Sequence, residues 1–292
     1  MRMSSRSSSI IKWLGGILLV SFLACTAWLA TRVMLVDQFI IPTESMQPAL
    51  LPGDRVLVDK TIMGARIYSD FNFKPEGGEL KCWRTRGTRT IQLNDIVVFN
   101  FPEHNRHVSF IINEVYCKRC MALPGDSLSI VDGHYVNNNY NGELGNKQAQ
   151  DHLATIPDST LEYVLHTIPY DEKIPWTIRQ FGPLYIPRSG DIIRITPHEA
   201  CLYRMVLEWE TGKKIDFSWE ENKVWANGKE LKYHQFLHNY YFMAGDNVGD
   251  SNDSRYWGLV PEEYIVGVVK YISYSVDPET GKHRKGRTLK RI

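Results

Sequence analysis

The sequence predicts a mostly β fold, in which one N-terminal transmembrane helix precedes a β-rich core with an inserted β-rich cap region. One observation is a single uncharged apolar stretch near the N-terminus. The other is a recurring series of turn residues followed by short β-branched runs. The chain has 292 residues, of which 43% are hydrophobic, so it can bury one large domain or two small ones. Its formal net charge of +1 gives no electrostatic reason to expect a nucleic-acid partner.

The apolar stretch, residues 13–31, contains no charged side chain. A helix rises about 1.5 Å per residue, so roughly 20 residues cross the hydrocarbon core, and we expect a single transmembrane anchor. Three basic residues precede the stretch, Arg2, Arg6 and Lys12, whereas Arg32 alone follows it closely. Because cytoplasmic flanks carry the excess of basic residues, we predict a cytoplasmic segment at 1–12 and an extracytoplasmic domain at 32–275.

A cleaved signal peptide is the alternative interpretation of this N-terminus. A basic start before an apolar region is common to both, and Phe22-Leu23-Ala24-Cys25 loosely resembles a lipoprotein cleavage box. The apolar region continues past Cys25 through Trp28 and Leu29, however, and no small-x-small site closes it. An uncleaved anchor therefore fits the sequence better.

Four turn sequences each precede a short run of apolar or β-branched residues. They are Pro52-Gly53-Asp54, Asn94-Asp95, Pro124-Gly125-Asp126 and Ser189-Gly190-Asp191. Glycine, proline, asparagine and aspartate favour turns, and β-branched runs favour strands. We therefore predict a strand after each turn, within barrels or packed sheets.

One helix is predicted within the inserted region, which we place at about 131–237. Thr196 is the expected N-cap, Pro197 the first helical residue and Glu199 the acidic partner of a capping box, while Gly212 ends the helix. Beyond the domain, residues 276–292 are strongly basic with few apolar side chains. We expect a mobile tail there, which either contacts anionic lipid headgroups or only aids solubility.

The cysteine pattern predicts no disulfide framework. The five cysteines are Cys25, Cys82, Cys117, Cys120 and Cys201. Cys117 and Cys120 form a C-x-x-C in a predicted strand at 111–121, but no second cysteine pair or suitably spaced histidine pair completes a zinc site. Residues three apart in a strand face opposite sides of the sheet. We predict packing roles for both residues, no metal and no organic cofactor.

Ser45 and Lys118 are the residues that suggest chemistry. A serine hydroxyl needs a base to take its proton, and a lysine amine is a base only when neutral, which burial favours. The apolar surroundings of Lys118 in the sequence would desolvate an inward-facing amine, while Arg119 would face the opposite side of the strand. Taken alone, however, the two residues are equally compatible with an ordinary loop serine and a solvent-facing lysine.

Four ordered sequence boxes resemble those of bacterial type I signal peptidases (leader peptidases), the serine/lysine dyad family. They are Ser45-Met46-Gln47-Pro48, Asp95-Ile96-Val97-Val98-Phe99, Lys118-Arg119 with Ala122-Leu123-Pro124-Gly125-Asp126, and Gly245-Asp246-Asn247 through Ser251-Asn252-Asp253-Ser254-Arg255-Tyr256-Trp257-Gly258. The order of the boxes and the preceding anchor also match. The resemblance extends to about Val269 and is weakest in the inserted region.

The resemblance implies a role for each matched residue. Ser45 would be the nucleophile and Lys118 the general base, with the hydroxyl of Thr43 and the backbone N–H of Ser45 forming the oxyanion hole. Ser251 would hydrogen-bond the lysine amine and orient it, and Asp253 and Arg255 would support the site from behind. The expected substrate-pocket walls are Phe39, Ile40, Ile41 and Ile96.

The implied activity is removal of signal peptides from exported precursors through an acyl-enzyme, with small residues preferred at the first and third positions before the cut. The expected partners are these precursors and the lipid bilayer, with an association with the secretion machinery left open. The expected location is the bacterial cytoplasmic membrane, with a related organelle peptidase as the alternative.

Several positions depart from the common family pattern. Glu44 stands where glycine often precedes the nucleophile, Asn94 and Ala122 replace glycines, and residues 248–250 read Val-Gly-Asp instead of Arg-Asp-Asn. None removes a matched catalytic group. A carboxylate turned toward the dyad would raise the lysine pKa, so we expect Glu44 to point outward.

Three other functions remain as alternatives. A Ser-His-Asp hydrolase could use His104, His107, His234 or His238, but we expect solvent-facing roles for these histidines. A self-cleaving repressor would share the serine/lysine chemistry, yet it should carry a DNA-binding segment instead of an anchor. A catalytically silent, membrane-anchored binding protein would be expected to have lost its dyad, and here every matched position is filled.

Overall fold

The computed structural model describes residues 5–161 and 163–292. The helices are α1 Ser5–Met34, α2 Lys147–Thr155, α3 Pro197–Thr211 and α4 Ser254–Trp257. The strands are β1 Val36–Ile40, β2 Asp54–Asp59, β3 Arg66–Tyr68, β4 Cys82–Arg84, β5 Ile96–Asn100, β6 Glu103–His104, β7 His107–Val108, β8 Val115–Ala122, β9 Ser127–Val131, β10 His134–Asn137, β11 Phe181–Tyr185, β12 Ile192–Arg194, β13 Ile215–Ser218, β14 Lys223–Ala226, β15 Lys229–Glu230, β16 Tyr233–Gln235, β17 Tyr240–Ala244, β18 Val260–Pro261, β19 Ile265–Ser275 and β20 Lys290–Arg291. The prediction of a mostly β chain behind one apolar helix is confirmed.

Helix α1 contains the predicted anchor. Its apolar span, Trp13–Met34, has a mean hydropathy of 1.9 and is not covered by the rest of the protein, as expected for a helix surrounded by lipid. The helix begins at Ser5, inside the segment predicted as cytoplasmic, and extends three residues beyond the predicted end at 31. Arg2, one of the basic residues that predict the topology, lies outside the described residues.

An eight-stranded antiparallel sheet forms the centre of the domain. Its strand order is β1-β2-β19-β5-β8-β17-β18, and β20 also pairs with β19. Strand β1 follows α1 almost directly and forms one edge of the sheet. Strand β8, which contains Lys118, lies beside β17, which precedes the segment containing Ser251, Asp253 and Arg255. The predicted strand at 111–121 is displaced, because residues 112 and 113 form a turn and β8 begins at Val115.

The four predicted turns share one hydrogen-bonding pattern. In each, the aspartate carboxylate accepts the backbone N–H of the residue three positions earlier, and the aspartate N–H returns a bond to the carbonyl of that residue. The pairs are Asp54 with Leu51, Asp95 with Gln92, Asp126 with Leu123 and Asp191 with Arg188. A strand follows every one of these turns, as predicted.

In one of these turns, Asn94 occupies the position that glycine occupies in the other three. The residue before each aspartate has a positive φ, and Asn94 adopts φ +68°, which asparagine tolerates better than most residues. Its side chain donates to the carbonyl of Glu143 and accepts the N–H of Gly145, at 2.8 and 2.9 Å. The substitution therefore ties the turn before β5 to the inserted region.

The inserted region packs onto the core through its own apolar cluster. This cluster joins Met121 and Phe242 of the central sheet to residues such as Leu128, Phe181 and Leu207. Helix α3 forms as predicted: Thr196 and Glu199 make the capping box, Pro197 is the first residue and Gly212 ends the helix in a left-handed conformation. A region of strands and two helices thus covers one end of the sheet.

The C-terminal segment, residues 276–292, differs from the mobile tail that we expected. Arg287 forms a two-pronged ion pair with the fully buried Asp54, with an Nε to Oδ1 distance of 3.0 Å, and donates to the carbonyl of Ala49. Arg284 donates to the carbonyl of Pro52 at 2.6 Å and pairs with Asp277. Strand β20 then joins the central sheet. A basic composition misled the prediction because it cannot show that Arg287 has a buried partner or that Arg284 binds the backbone of another segment.

We predict that Arg287→Ala destabilises the protein by about 3 kcal/mol, because removing one member of a buried ion pair leaves the other uncompensated. Burial alone would raise the pKa of Asp54, but hydrogen bonds from Arg287 and Leu51 hold it below its ordinary value. Chemical denaturation of the intact chain in detergent measures the effect. The control Arg291→Ala, which removes an exposed arginine, should change stability by less than about 0.5 kcal/mol. Equal stabilities of the two variants would contradict the prediction.

Candidate active site

The structure brings Ser45 and Lys118 into direct contact. The Nζ of Lys118 donates a hydrogen bond to the Oγ of Ser45 at 2.5 Å, although 73 positions separate them. Ser45 lies in the turn between β1 and β2, and Lys118 lies on β8. The lysine is only 3% exposed. A serine hydroxyl and a buried amine within hydrogen-bonding distance are the minimal parts of a nucleophile and its base.

Two contacts fix the position of Ser45: the burial of the next residue and a backbone hydrogen bond. The following residue, Met46, is buried in the apolar cluster beneath β1, β2 and β5. The carbonyl of Ser45 accepts the backbone N–H of Asn247 at 3.1 Å. Gly245 permits this close approach, because a Cβ there would lie 2.4 Å from the Ser45 carbonyl oxygen. The loop after β17 therefore fixes the backbone of Ser45.

The surroundings of Lys118 favour a neutral amine. Burial lowers the pKa of Lys118; the charge of Asp253 opposes this effect, Arg255 adds to it, and the pKa lies below its ordinary value. The ring of Tyr116, two residues earlier on the same face of β8, lies 5.9 Å from Nζ. No carboxylate forms a salt bridge with Lys118 within the described part of the chain. The amine is therefore desolvated without a directly paired counter-ion.

Asp253 and Arg255 form a fully buried ion pair behind the dyad. Both side chains are almost completely inaccessible, and two 2.8 Å hydrogen bonds join Nε and a terminal nitrogen of Arg255 to the two carboxylate oxygens. Asp253 also accepts the N–H of Gly245, and Arg255 donates to the carbonyl of Val248. The predicted supporting pair is thus adjacent to the loop that holds Ser45.

Ser251 is the one predicted residue whose expected bond is not formed. Its Oγ is buried and has no hydrogen-bond partner among the described residues. It nevertheless lies at the site, since a Cβ on Gly245 would be 2.2 Å from this oxygen and 2.4 Å from the carbonyl oxygen of Ser45. A buried hydroxyl without a described partner thus lies beside Ser45, and its role toward Lys118 stays a prediction.

Thr43 lies on the solvent-exposed side of Ser45. Its Oγ1 is 3.3 Å from the Oγ of Ser45, and the side chain is exposed. Glu44 is also exposed, and its carboxylate forms no salt bridge with the buried Lys118 amine among the described residues. A carbonyl group approaching Ser45 from solvent would meet the Thr43 hydroxyl.

Sequence reasoning gave no role to a second ion pair beside the dyad. Arg119 donates two hydrogen bonds to the carboxylate of Asp246, at 2.6 and 2.5 Å, and a third to the carbonyl of Asn94. Arg119 follows Lys118, and Asp246 precedes Asn247, which binds Ser45. The pair therefore fastens the lysine strand to the loop of the serine. The presence of both residues in the family boxes was the signal that could have identified them.

Three of the four predicted pocket residues lie together. Ile41 and Ile96 are buried in the same apolar cluster as Met46, and Phe39 packs against that cluster. Ile40 is 55% exposed, because consecutive side chains of β1 alternate between the two faces of the sheet. The structure therefore separates Ile40 from the other three.

No histidine or cysteine side chain hydrogen-bonds the side chain of Ser45 or Lys118 among the described residues, although Cys117 directly precedes Lys118 on β8. His234 is buried and hydrogen-bonds Glu210 at 2.6 Å, so the expectation that it faces solvent was wrong. The missed signal is a carboxylate 24 positions earlier, on α3. Cys117 and Cys120 belong to apolar clusters on opposite faces of β8, as predicted. Burial raises the pKa of Cys117 to about 12, which leaves it an unreactive thiol.

Comparisons with known proteins agree with this site. The family model described as signal peptidase, peptidase S26, matches residues 11–274. A signal peptidase I from Buchnera aphidicola subsp. Baizongia pistaciae is 28% identical over 272 residues, covering 89% of this chain and 77% of the relative. One from Pseudomonas aeruginosa is 28% identical over 253 residues, covering 82% and 65%. One from Aquifex aeolicus is 25% identical over 260 residues, covering 87% and 82%.

The family match spans most of the chain, from within helix α1 to near the end of β19, and so includes every residue of the site. The chain is therefore a hydrolase, a serine peptidase that removes signal peptides, and it belongs to the peptidase S26 family of signal peptidases.

Proposed function

We propose that this enzyme cleaves exported precursors with a Ser45/Lys118 dyad. The observation that carries the proposal is the 2.5 Å hydrogen bond between the Lys118 amine and the Ser45 hydroxyl, at a lysine that is almost fully buried. Burial lowers the pKa of this amine, so a larger fraction is neutral and able to accept a proton.

The reaction proceeds through an acyl-enzyme. Ser45 Oγ attacks the scissile carbonyl carbon while Lys118 takes the hydroxyl proton, and the C–N bond then breaks as the resulting ammonium protonates the departing amine. Water next attacks the ester, again giving its proton to Lys118, and the release of Ser45 returns that proton to Oγ. The products are the cleaved signal peptide with a new carboxylate and the mature protein.

The oxyanion of both tetrahedral intermediates is bound by Thr43 Oγ1 and the backbone N–H of Ser45. Thr43 lies on the exposed side of Ser45, which is the side a substrate must approach. One such donor commonly contributes about 3 kcal/mol to transition-state stabilisation. Ser251 turns its free hydroxyl toward the Lys118 amine during turnover, which orients the lone pair of the base.

Asp253 and Arg255 set the charge behind the dyad. An isolated buried carboxylate would stabilise the lysine ammonium, but Arg255 satisfies both oxygens of Asp253 at 2.8 Å. The pair also holds Gly245 and Val248, on either side of the loop that contacts Ser45. It supports the geometry of the site without an ionic bond to Lys118.

The substrate binds in an extended conformation along the edge strand β1. An edge strand offers unpaired backbone groups to which a peptide can add as a further strand. Phe39, Ile41 and Ile96 form the walls of shallow apolar pockets for small residues at the first and third positions before the cut. Ile40 lies on the other face of β1 and takes no part in these pockets.

The membrane places enzyme and substrate together. Residues 13–31 anchor the enzyme in the bacterial cytoplasmic membrane, with 1–12 in the cytoplasm and the catalytic domain, 32–275, on the extracytoplasmic face. The insertion at about 131–237 caps this domain, and 276–292 completes it. The partners are signal-peptide-bearing precursors in the same bilayer, delivered by the secretion machinery.

Loss of either dyad residue should abolish cleavage. We predict that the intact protein in detergent cuts a purified precursor with an Ala-x-Ala site, whereas Ser45→Ala and Lys118→Met lower the rate by at least about 10⁴-fold. His104→Ala and His234→Ala should keep activity if they fold. Gel-based processing assays give the rates. Activity that survives Lys118→Met would indicate a different base and would contradict the dyad.

The pH dependence should follow the protonation of Lys118. We predict that kcat/KM rises with pH as the ammonium loses its proton. The negative charge of Asp250 raises the lysine pKa, so Asp250→Asn should move this limb to lower pH by a fraction of a unit. Glu44 is exposed and forms no salt bridge with Lys118 among the described residues, so Glu44→Gln is the matched control, with no shift expected. A rise of kcat/KM that occurs at higher pH in Asp250→Asn than in the unmodified protein would contradict this prediction.

Ser251→Ala should separate activity from stability. The Ser251 hydroxyl is buried without a partner, so its removal should leave stability unchanged or raise it slightly. If the hydroxyl orients Lys118 during turnover, kcat should fall by roughly tenfold or more, with KM little changed. Thermal unfolding and steady-state kinetics of the same preparation test both parts. Unchanged kcat would remove Ser251 from the mechanism.

A further inference from the structure

The C-terminal segment carries cations that the fold does not use. Arg284 forms an ion pair with Asp277, and Arg287 forms one with Asp54. The remaining basic side chains of residues 276–292 are exposed, and none forms an ion pair within the described residues; apart from His283 they are Lys282, Lys285, Lys290 and Arg291. Exposed apolar side chains accompany them: Leu289 is 70% exposed and Ile292 36%.

This segment has a fixed position in the sheet. Strand β20 pairs with β19, which pairs with β2, which pairs with β1. Gln38, Leu57, Tyr271 and Arg291 are successive partners along one row across these strands. Neighbouring strands lie about 4.8 Å apart, so Arg291 is roughly 15 Å from the strand that leaves the apolar helix. Tyr271, directly opposite Arg291, is 42% exposed on the same face.

The end of the apolar helix is also fastened to this sheet. Arg32 and Lys60 both pair with Asp37 of β1, and the Lys60 amine donates to the carbonyl of Arg32 at 2.8 Å. The backbone N–H of Lys60 donates to the carbonyl of Leu35. These bonds tie β1, the first strand of the row that ends at Arg291, directly to the end of the apolar helix.

We propose that the C-terminal segment binds the anionic lipid headgroups of the membrane in which the enzyme is anchored. The inference rests on the proposed membrane anchoring. Four unpaired cations at an anionic surface are attracted within about a Debye length, roughly 10 Å at ordinary ionic strength. Leu289, Ile292 and Tyr271 have the apolar and aromatic character that enters the headgroup region beside such cations.

Lipid contact at this segment would act on the nucleophile loop. Arg287 donates to the carbonyl of Ala49 and Arg284 to that of Pro52, both within the turn that follows Ser45. The same short segment therefore has exposed cations that face the lipid and two arginines, Arg284 and Arg287, that hydrogen-bond the loop after Ser45. Headgroup binding holds the catalytic domain down on the bilayer, with the edge strand β1 near the membrane-embedded substrate.

The test uses the intact chain in nanodiscs of phosphatidylcholine, with or without phosphatidylglycerol. Hydrogen exchange of the backbone amides of 282–292 is measured without substrate, so the result does not depend on the catalytic proposal. Phosphatidylglycerol should slow this exchange by roughly tenfold at low salt, and added salt should reverse the effect. Recovery of the protein with the discs checks the anchor separately.

Charge variants identify the cations responsible. The segment variant is Lys282→Gln, Lys285→Gln, Lys290→Gln and Arg291→Gln; the control removes four exposed lysines elsewhere, Lys74→Gln, Lys173→Gln, Lys213→Gln and Lys229→Gln. The segment variant should lose the phosphatidylglycerol effect, and the control should keep it. Equal exchange in both lipids, or protection that survives in the segment variant, would overturn the proposal. If the segment variant unfolds at a lower temperature than the unmodified chain, the salt dependence of exchange in the unmodified chain is the test. Protection by phosphatidylglycerol that persists at high salt would then overturn the proposal.

Discussion

The site depends on keeping one amine out of water without giving it a counter-ion. Lys118 is buried and donates to Ser45, while Asp253, the carboxylate whose charge acts on it most, is already bound by Arg255. Burial and the Arg255 charge both disfavour the ammonium, and the Asp253 charge only partly offsets them. Had Asp253 lacked its arginine, the lysine would lie beside an uncompensated carboxylate that stabilises the ammonium, and a smaller fraction of the amine would be neutral near neutral pH. In the proposed mechanism, the ion pair behind the dyad therefore serves to keep the amine neutral.

The rest of the fold fixes the two partners of this contact from independent directions. Lys118 is held by its place on β8 between β5 and β17, and Arg119 binds Asp246 on the loop that reaches Ser45. Ser45 is held by Met46 beneath it and by the bond from Asn247. The first and last segments of the domain also lie near Ser45. Strand β1 leads into the turn that contains Ser45, and Arg284 and Arg287 donate to the carbonyls of Pro52 and Ala49, which follow it. A small displacement of either partner would break a bond that must be short to transfer a proton.

Local features were readable from the sequence, and distant pairings were not. Each Asp-closed turn and the capping box of α3 involve residues three apart, so their chemistry is visible in a short window. Ser45 and Lys118 were identified from family boxes and not from periodicity. The pair of Asp54 with Arg287 joins residues 233 positions apart, and only the sheet order brings them together. The burial of His234 and the free hydroxyl of Ser251 likewise follow from packing between segments that composition does not connect.

The most direct test of this account is the pKa of Lys118 itself. Nuclear magnetic resonance of the intact chain with labelled lysine side chains would follow each amine through a pH titration, and Lys118→Met would assign the signal. The account predicts that the Lys118 amine titrates below the other lysines, because it is desolvated without a counter-ion. Titration at or above the ordinary lysine value would show a stabilised ammonium, and Lys118 could not then be the base that activates Ser45.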